Sequence, residues 1–73
     1  MRMNKTVLLS AIKELAVEYN QYAAGGNSEI VSIRSSADRV IIESYDETRK
    51  FTFVDAINYL SEEVSTLHAE IGE

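Results

Sequence analysis

Apolar positions along this chain follow two different periods. Between Asn4 and Ala24, Leu8, Ile12, Leu15, Tyr19 and Tyr22 recur every three or four residues, and Ala16 and Ala23 widen the same stripe. A period near 3.6 places these side chains on one face and predicts an amphipathic helix. Asn4 is the expected N-cap. Gly25-Gly26-Asn27 stops the helix, because glycine adopts the left-handed conformation at a helix C-terminus without steric cost.

From Ser28 the period shortens to two. Residues 29–34 read as a strand with Val31 and Ile33 on one face. Residues 39–45 form a second, rich in β-branched side chains, and residues 49–54 a third, with Phe51 and Phe53 on one face. Residues 35–38 and 46–48 are turns, and such short connections imply an antiparallel meander. The helical period then returns at residues 55–71, where Ile57, Leu60, Val64, Leu67 and Ile71 form a single seam. Asp55 is the expected cap and Gly72 the stop.

The expected fold is therefore α+β in the order α-β-β-β-α, one domain over residues 1–73, with both helices on one face of a three-stranded sheet. Val31, Ile33, Val40, Ile42, Phe51 and Phe53 would face the helices. Ile30, Ser32, Arg34, Ile41, Glu43, Tyr45, Lys50 and Thr52 would face away.

A chain of 73 residues buries only about 60% of its unfolded surface, so additional stabilisation is expected. With no Cys and one His, disulfides, thiolate metal sites and His-rich metal sites are excluded, and homodimerisation is the remaining route. The longest purely apolar runs, Val7-Leu8-Leu9 and Val40-Ile41-Ile42, are three residues long, far short of the ~20 that span a bilayer. Lys13 and Glu14 interrupt the first apolar stretch before it resembles a secretion signal. A cytoplasmic protein without membrane association is expected.

Signs of catalysis are few. There is no Cys nucleophile, no glycine-flanked serine elbow and no phosphate loop, since Gly25-Gly26 ends a helix rather than opening one. His68 lies beside the apolar seam of the last helix, where a boundary position is the plain reading. The pairs Asp46-Glu47 and Glu62-Glu63 lack calcium-loop spacing. No catalytic residue, metal or cofactor is expected, and the chain is not expected to be an enzyme.

The charge pattern is more informative. Net charge is −5, which disfavours direct contact with nucleic acid or anionic lipid and favours basic proteins. Residues 55–73 contain five acidic side chains and no Lys or Arg. On a regular helix Asp55, Glu62, Glu63, Glu70 and Glu73 project within about 100° of one another, with Tyr59 in the middle of their arc and the apolar seam opposite. Such a face carries uncompensated repulsion and a poor match to the helix dipole at its C-terminal end.

Rows of carboxylates on a rigid element imitate the phosphate array of DNA and compete for the cations of a nucleic-acid-binding protein. The expected interaction residues are Asp55, Tyr59, Glu62, Glu63, Glu70 and Glu73, with Asp46 and Glu47 as extensions. In size, charge and element order the chain resembles the small acidic proteins with which phages inhibit host machinery, some of them DNA mimics. That resemblance implies inhibition of a basic, DNA-binding partner and assigns no residue. Two alternatives stand beside it. One is an assembly module acting through Ile30, Ile41, Tyr45 and the helix seams. The other is a small ligand-binding domain around His68, Tyr19 and Tyr22.

Overall fold

The computed structural model describes residues 4–23 and 25–71. Helix α1 (Lys5–Ala23) is followed by strands β1 (Ile30–Ser36), β2 (Arg39–Ser44) and β3 (Thr48–Thr52) and by helix α2 (Phe53–Ile71). The fold is α+β in the order α-β-β-β-α. The strands form one antiparallel sheet in the order β1-β2-β3. Two layers give a slab whose Cα extents are 36 × 28 × 14 Å.

The core lies between the layers. Ile12 of α1, Val40 and Ile42 of β2, and Phe53, Ala56 and Leu60 of α2 form its buried centre. Leu8, Ile30, Ile33, Phe51 and Ile57 are among the half-buried side chains packed against it. The registers explain this distribution. Ile33 lies opposite Ile42, and Val40 opposite Phe51, so these side chains share the face turned to the helices. Arg34, Ile41 and Lys50 are likewise in register and share the outer face. Both helices pack on one side of the sheet, as the patterning predicts.

β1 runs on to Ser36, so Ala37-Asp38 alone form the turn expected over residues 35–38, and three further local assignments differ from the expectation. First, the β1–β2 register shifts between Ile30 and Ser32. The extra residue of this bulge reverses the alternation before it. Ile30 therefore packs on the core, and Val31 is 46% exposed. Second, α2 starts at Phe53, two residues earlier than predicted. The Thr52 hydroxyl oxygen accepts the backbone N–H of Asp55 at 3.1 Å, so Thr52 is the N-cap and Asp55 sits in the first turn. Third, Phe53 is a buried helical residue rather than the end of a strand.

At the start of α1 the Asn4 carboxamide oxygen accepts the Val7 N–H at 2.9 Å, as expected of a cap. Gly25 has φ +87° and its N–H donates to the Glu29 carboxylate at 3.0 Å. Asn20 then ties α1 to β1. Its side-chain amide donates to the Ile30 carbonyl and accepts from the Ile30 N–H, both at 2.9 Å.

Candidate functional site

Helix α2 lies across the sheet with Phe53, Ala56, Leu60 and Val64 buried. Its opposite side carries Asp55, Glu62 and Glu70, all exposed. The cause is geometric: the aliphatic ridge is drawn onto the sheet by apolar burial, which turns carboxylates half a turn away outward. Glu63 lies on the flank of this arc and is half-buried. Glu73, also expected in the arc, lies outside the described residues.

The ion pairs leave this outward arc uncompensated. Arg34 faces Glu43 at 3.9 Å, Arg39 meets Asp38 at 3.1 Å and Arg49 meets Glu47 at 2.9 Å. All three pairs lie in the sheet and its turns. Among the described residues, none involves Asp55, Glu62, Glu63 or Glu70. Arg34 and Lys50 share the outer sheet face, opposite the helices, and Arg34 is paired there with Glu43. The exposed carboxylates of α2 lie on the helix side.

Tyr59 holds a different place from the one its position on a helical wheel suggests. Its ring stacks on Phe51, with centroids 5.0 Å apart and planes inclined by 25°. The Arg49 guanidinium lies 5.3 Å from the Tyr59 centroid, within cation–π range. Arg49 is on the helix-facing side of β3, level with Ile42, and so reaches the flank of α2. Tyr59 therefore anchors α2 to the β3 edge instead of standing free among the carboxylates. Burial raises the Tyr59 hydroxyl above its ordinary value of 10.0, with Arg49 opposing and Glu63 adding to the rise. Arg49 is raised in turn, first by its hydrogen bond to Glu47 and then by the nearby Tyr59.

The acidic extension at the β2–β3 turn is exposed and ordered by its own hydrogen bonds. The Ser44 hydroxyl lies 2.7 Å from an Asp46 carboxylate oxygen, and the Asp46 N–H donates to the Asn27 carbonyl at 3.1 Å. Glu47, through Arg49, borders Tyr59 and Glu63. The expected interaction residues thus fall into two groups. Asp55, Glu62 and Glu70 form the open helical face. Glu47, Tyr59 and Glu63 surround Arg49, a cation that the periodicity of α2 had no means to reveal, because it arrives from a strand.

His68 is exposed, and its Nδ1 lies 3.0 Å from the Tyr22 hydroxyl, with the rings edge to face. It joins the ends of the two helices. A groove of about 230 Å³ lies elsewhere, between α1 and β1, bordered by Lys13, Val17, Asn20, Val31 and Ile33. Among the described residues, no cluster of three His, Asp or Glu side chains is arranged to hold a metal ion, and no helix is long and apolar enough to cross a membrane. Of the apolar outer face expected for an assembly module, Ile41 is half-buried and Tyr45 is 69% exposed, whereas Ile30 belongs to the core.

No protein-family model matches the chain, and neither a curated protein nor a solved structure matches it.

Proposed function

We propose that this chain is a non-catalytic binding protein whose acidic helical face engages a basic, nucleic-acid-binding protein and occludes its nucleic-acid site. The reading is supported by one observation above all. Asp55, Glu62 and Glu70 stand exposed on one side of a rigid helix, with no Lys or Arg of the described fold paired to them. Uncompensated like charge on a structured surface focuses a negative potential and attracts a basic partner from a distance. Carboxylates at fixed spacing then take the place of phosphates in binding Lys and Arg. Glu47 and Asp46 extend the surface at the β2–β3 turn.

The experiment is affinity capture of host proteins on the immobilised chain at low and high salt, repeated with Glu62→Lys/Glu63→Lys. Capture of basic proteins that is lost at high salt and lost with the variant, together with displacement of those proteins from duplex DNA by the wild-type chain, is the expected result. Equal capture by the variant would remove the acidic face from consideration.

A further inference from the structure

We propose that the β1 edge and the groove beside α1 take up a short extended peptide of a partner protein. An acidic residue of that peptide lies opposite Ile33, and an apolar residue lies two positions further toward Asn20. The proposal is independent of the acidic face and rests on three features of the α1–β1 flank.

The first is a backbone edge that already holds a peptide-like group. Ser36 and Arg39 flank the two-residue turn Ala37-Asp38 and form a mutually hydrogen-bonded pair. Alternate pairs inward, Arg34 with Ile41 and Ser32 with Glu43, bond in the same way. Ile33 and Ser35 consequently direct their N–H and C=O groups away from β2, and no side chain among the described residues meets them. At Ile30 the outward groups are held by the Asn20 carboxamide, which donates and accepts at 2.9 Å. A carboxamide is chemically a peptide unit. The Asn20 contact therefore displays in cis the partner that suits the next outward position, Ile33, which is an extended backbone.

The second is the wall of the groove. α1 runs antiparallel to β1, pinned by Asn20 on Ile30 and by the Lys5 ammonium on the Ala37 carbonyl at 3.3 Å. From Ile30 to Ile33 the strand advances about 10 Å. The same distance along α1 from Asn20 is roughly six to seven residues, which reaches Lys13. Lys13 is the one charged side chain among the described residues lining the groove, and it is exposed and belongs to none of their ion pairs. On the Asn20 side of Lys13 the groove is bordered by Val17, 63% exposed, and Val31, 46% exposed. In an added antiparallel strand the residue opposite Ile33 points as Ile33 does, toward the helix layer, and so does the residue two positions on. The former is level with the Lys13 ammonium, which favours a carboxylate. The latter lies about 7 Å further along, beside Val17 and Val31, where an aliphatic side chain is favoured. Running opposite to β1, the peptide reads acidic, any residue, apolar.

The third is what the edge refuses. The Asn20 amide closes it at Ile30, so an added strand must end or turn away there. A β1 strand of a second copy, paired symmetrically about Ile33, would run into that amide. A β3 strand of a second copy would bring its exposed Arg49 and Lys50 toward Lys13, and like charges across strands are destabilising. A short segment carrying a carboxylate meets neither obstacle.

Amide chemical-shift titration of the full chain with the peptide acetyl-Thr-Val-Thr-Glu-Thr-Val-amide tests the proposal. Saturable shifts are expected at Lys13, Val31 and Ile33. N-methylation of the glutamate nitrogen removes the donor to the Ile33 carbonyl and is expected to weaken binding at least several-fold. Lys13→Glu changes an exposed position and is expected to keep the circular dichroism spectrum. It should bind this peptide several-fold more weakly, and the peptide with Lys in place of Glu more tightly than the wild type does. Absence of saturable shifts, equal binding of the N-methylated peptide, or no exchange of preference in Lys13→Glu would overturn the proposal. So would Ile33 shifts that grow with chain concentration in the absence of peptide, which would assign the edge to a second copy.

Discussion

The side chain of Asn20 pairs with the backbone of Ile30 as a neighbouring strand would, donating to its carbonyl and accepting from its N–H, each at 2.9 Å. A helix thereby satisfies a sheet edge at the point where the β1 bulge begins. Replacement by Ala leaves both part-buried backbone groups without a partner. The expected loss is about 1–3 kcal/mol, reduced by roughly half a kcal/mol because Ala favours the helix. Urea denaturation of Asn20→Ala beside the exposed control Gln21→Ala measures it, and equal midpoints for the two variants would refute the role.

The start of α2 depends on Thr52 rather than on Asp55. Thr52→Ala removes the acceptor for the Asp55 N–H and is expected to cost about 0.5–2 kcal/mol. Asp55→Asn retains the cap and loses only a favourable charge at the helix N-terminus, an effect of about 0.3–1 kcal/mol. Thermal melts of the two variants separate the roles, with the larger drop expected for Thr52→Ala.

The β1–β2 turn contains a correctable strain. Ala37 has φ +56°, a conformation that costs an L-residue about 1–2 kcal/mol. Glycine adopts it freely but gives up roughly 0.5–1 kcal/mol through the entropy of the unfolded chain. Ala37→Gly is therefore expected to stabilise the domain by about 0.5–1 kcal/mol, read as a raised denaturation midpoint with an unchanged slope.

Alkaline pH should act through Tyr59. Its hydroxyl is raised above 10.0 in the fold, chiefly by burial, so the folded state holds the proton more tightly than the unfolded chain does. The associated stability is fully present below the unfolded tyrosine value and is lost as pH rises through the folded one. Stability is expected to decline above pH 10.0, and Tyr59→Phe to flatten that decline while keeping the stacking on Phe51. Identical alkaline profiles for wild type and Tyr59→Phe would exclude the effect.

Arg49 is the cation within the acidic surroundings of α2. Arg49→Gln removes its charge from beside Glu47, Tyr59 and Glu63. If the acidic face binds a basic protein, the variant should bind severalfold more tightly, with a steeper loss of affinity as salt is added. Titration calorimetry against the captured partner at two ionic strengths provides the measurement.

The linear pattern by itself determined the element order, the antiparallel meander and the shared face of the two helices, because apolar burial acts on every third or fourth helical residue and every second strand residue. It also determined that Asp55, Glu62 and Glu70 would oppose the buried ridge of α2, since those positions follow from one helix alone. Tertiary structure decided what depends on contacts between elements. The β1 bulge exchanged Ile30 and Val31 between core and surface, and one additional residue in a strand leaves no trace in a period-two pattern already ambiguous at Ile30-Val31. Thr52 took the cap from Asp55 because both residue types suit that position and the path of the chain out of β3 selects between them. Arg49 reached Tyr59 across the layers, turning an apparent member of the acidic arc into an anchor. Periodicity reports how each segment meets a generic apolar environment, whereas pairings such as Asn20 with Ile30 and Arg49 with Tyr59 exist only once distant segments are brought to hydrogen-bonding and stacking distance.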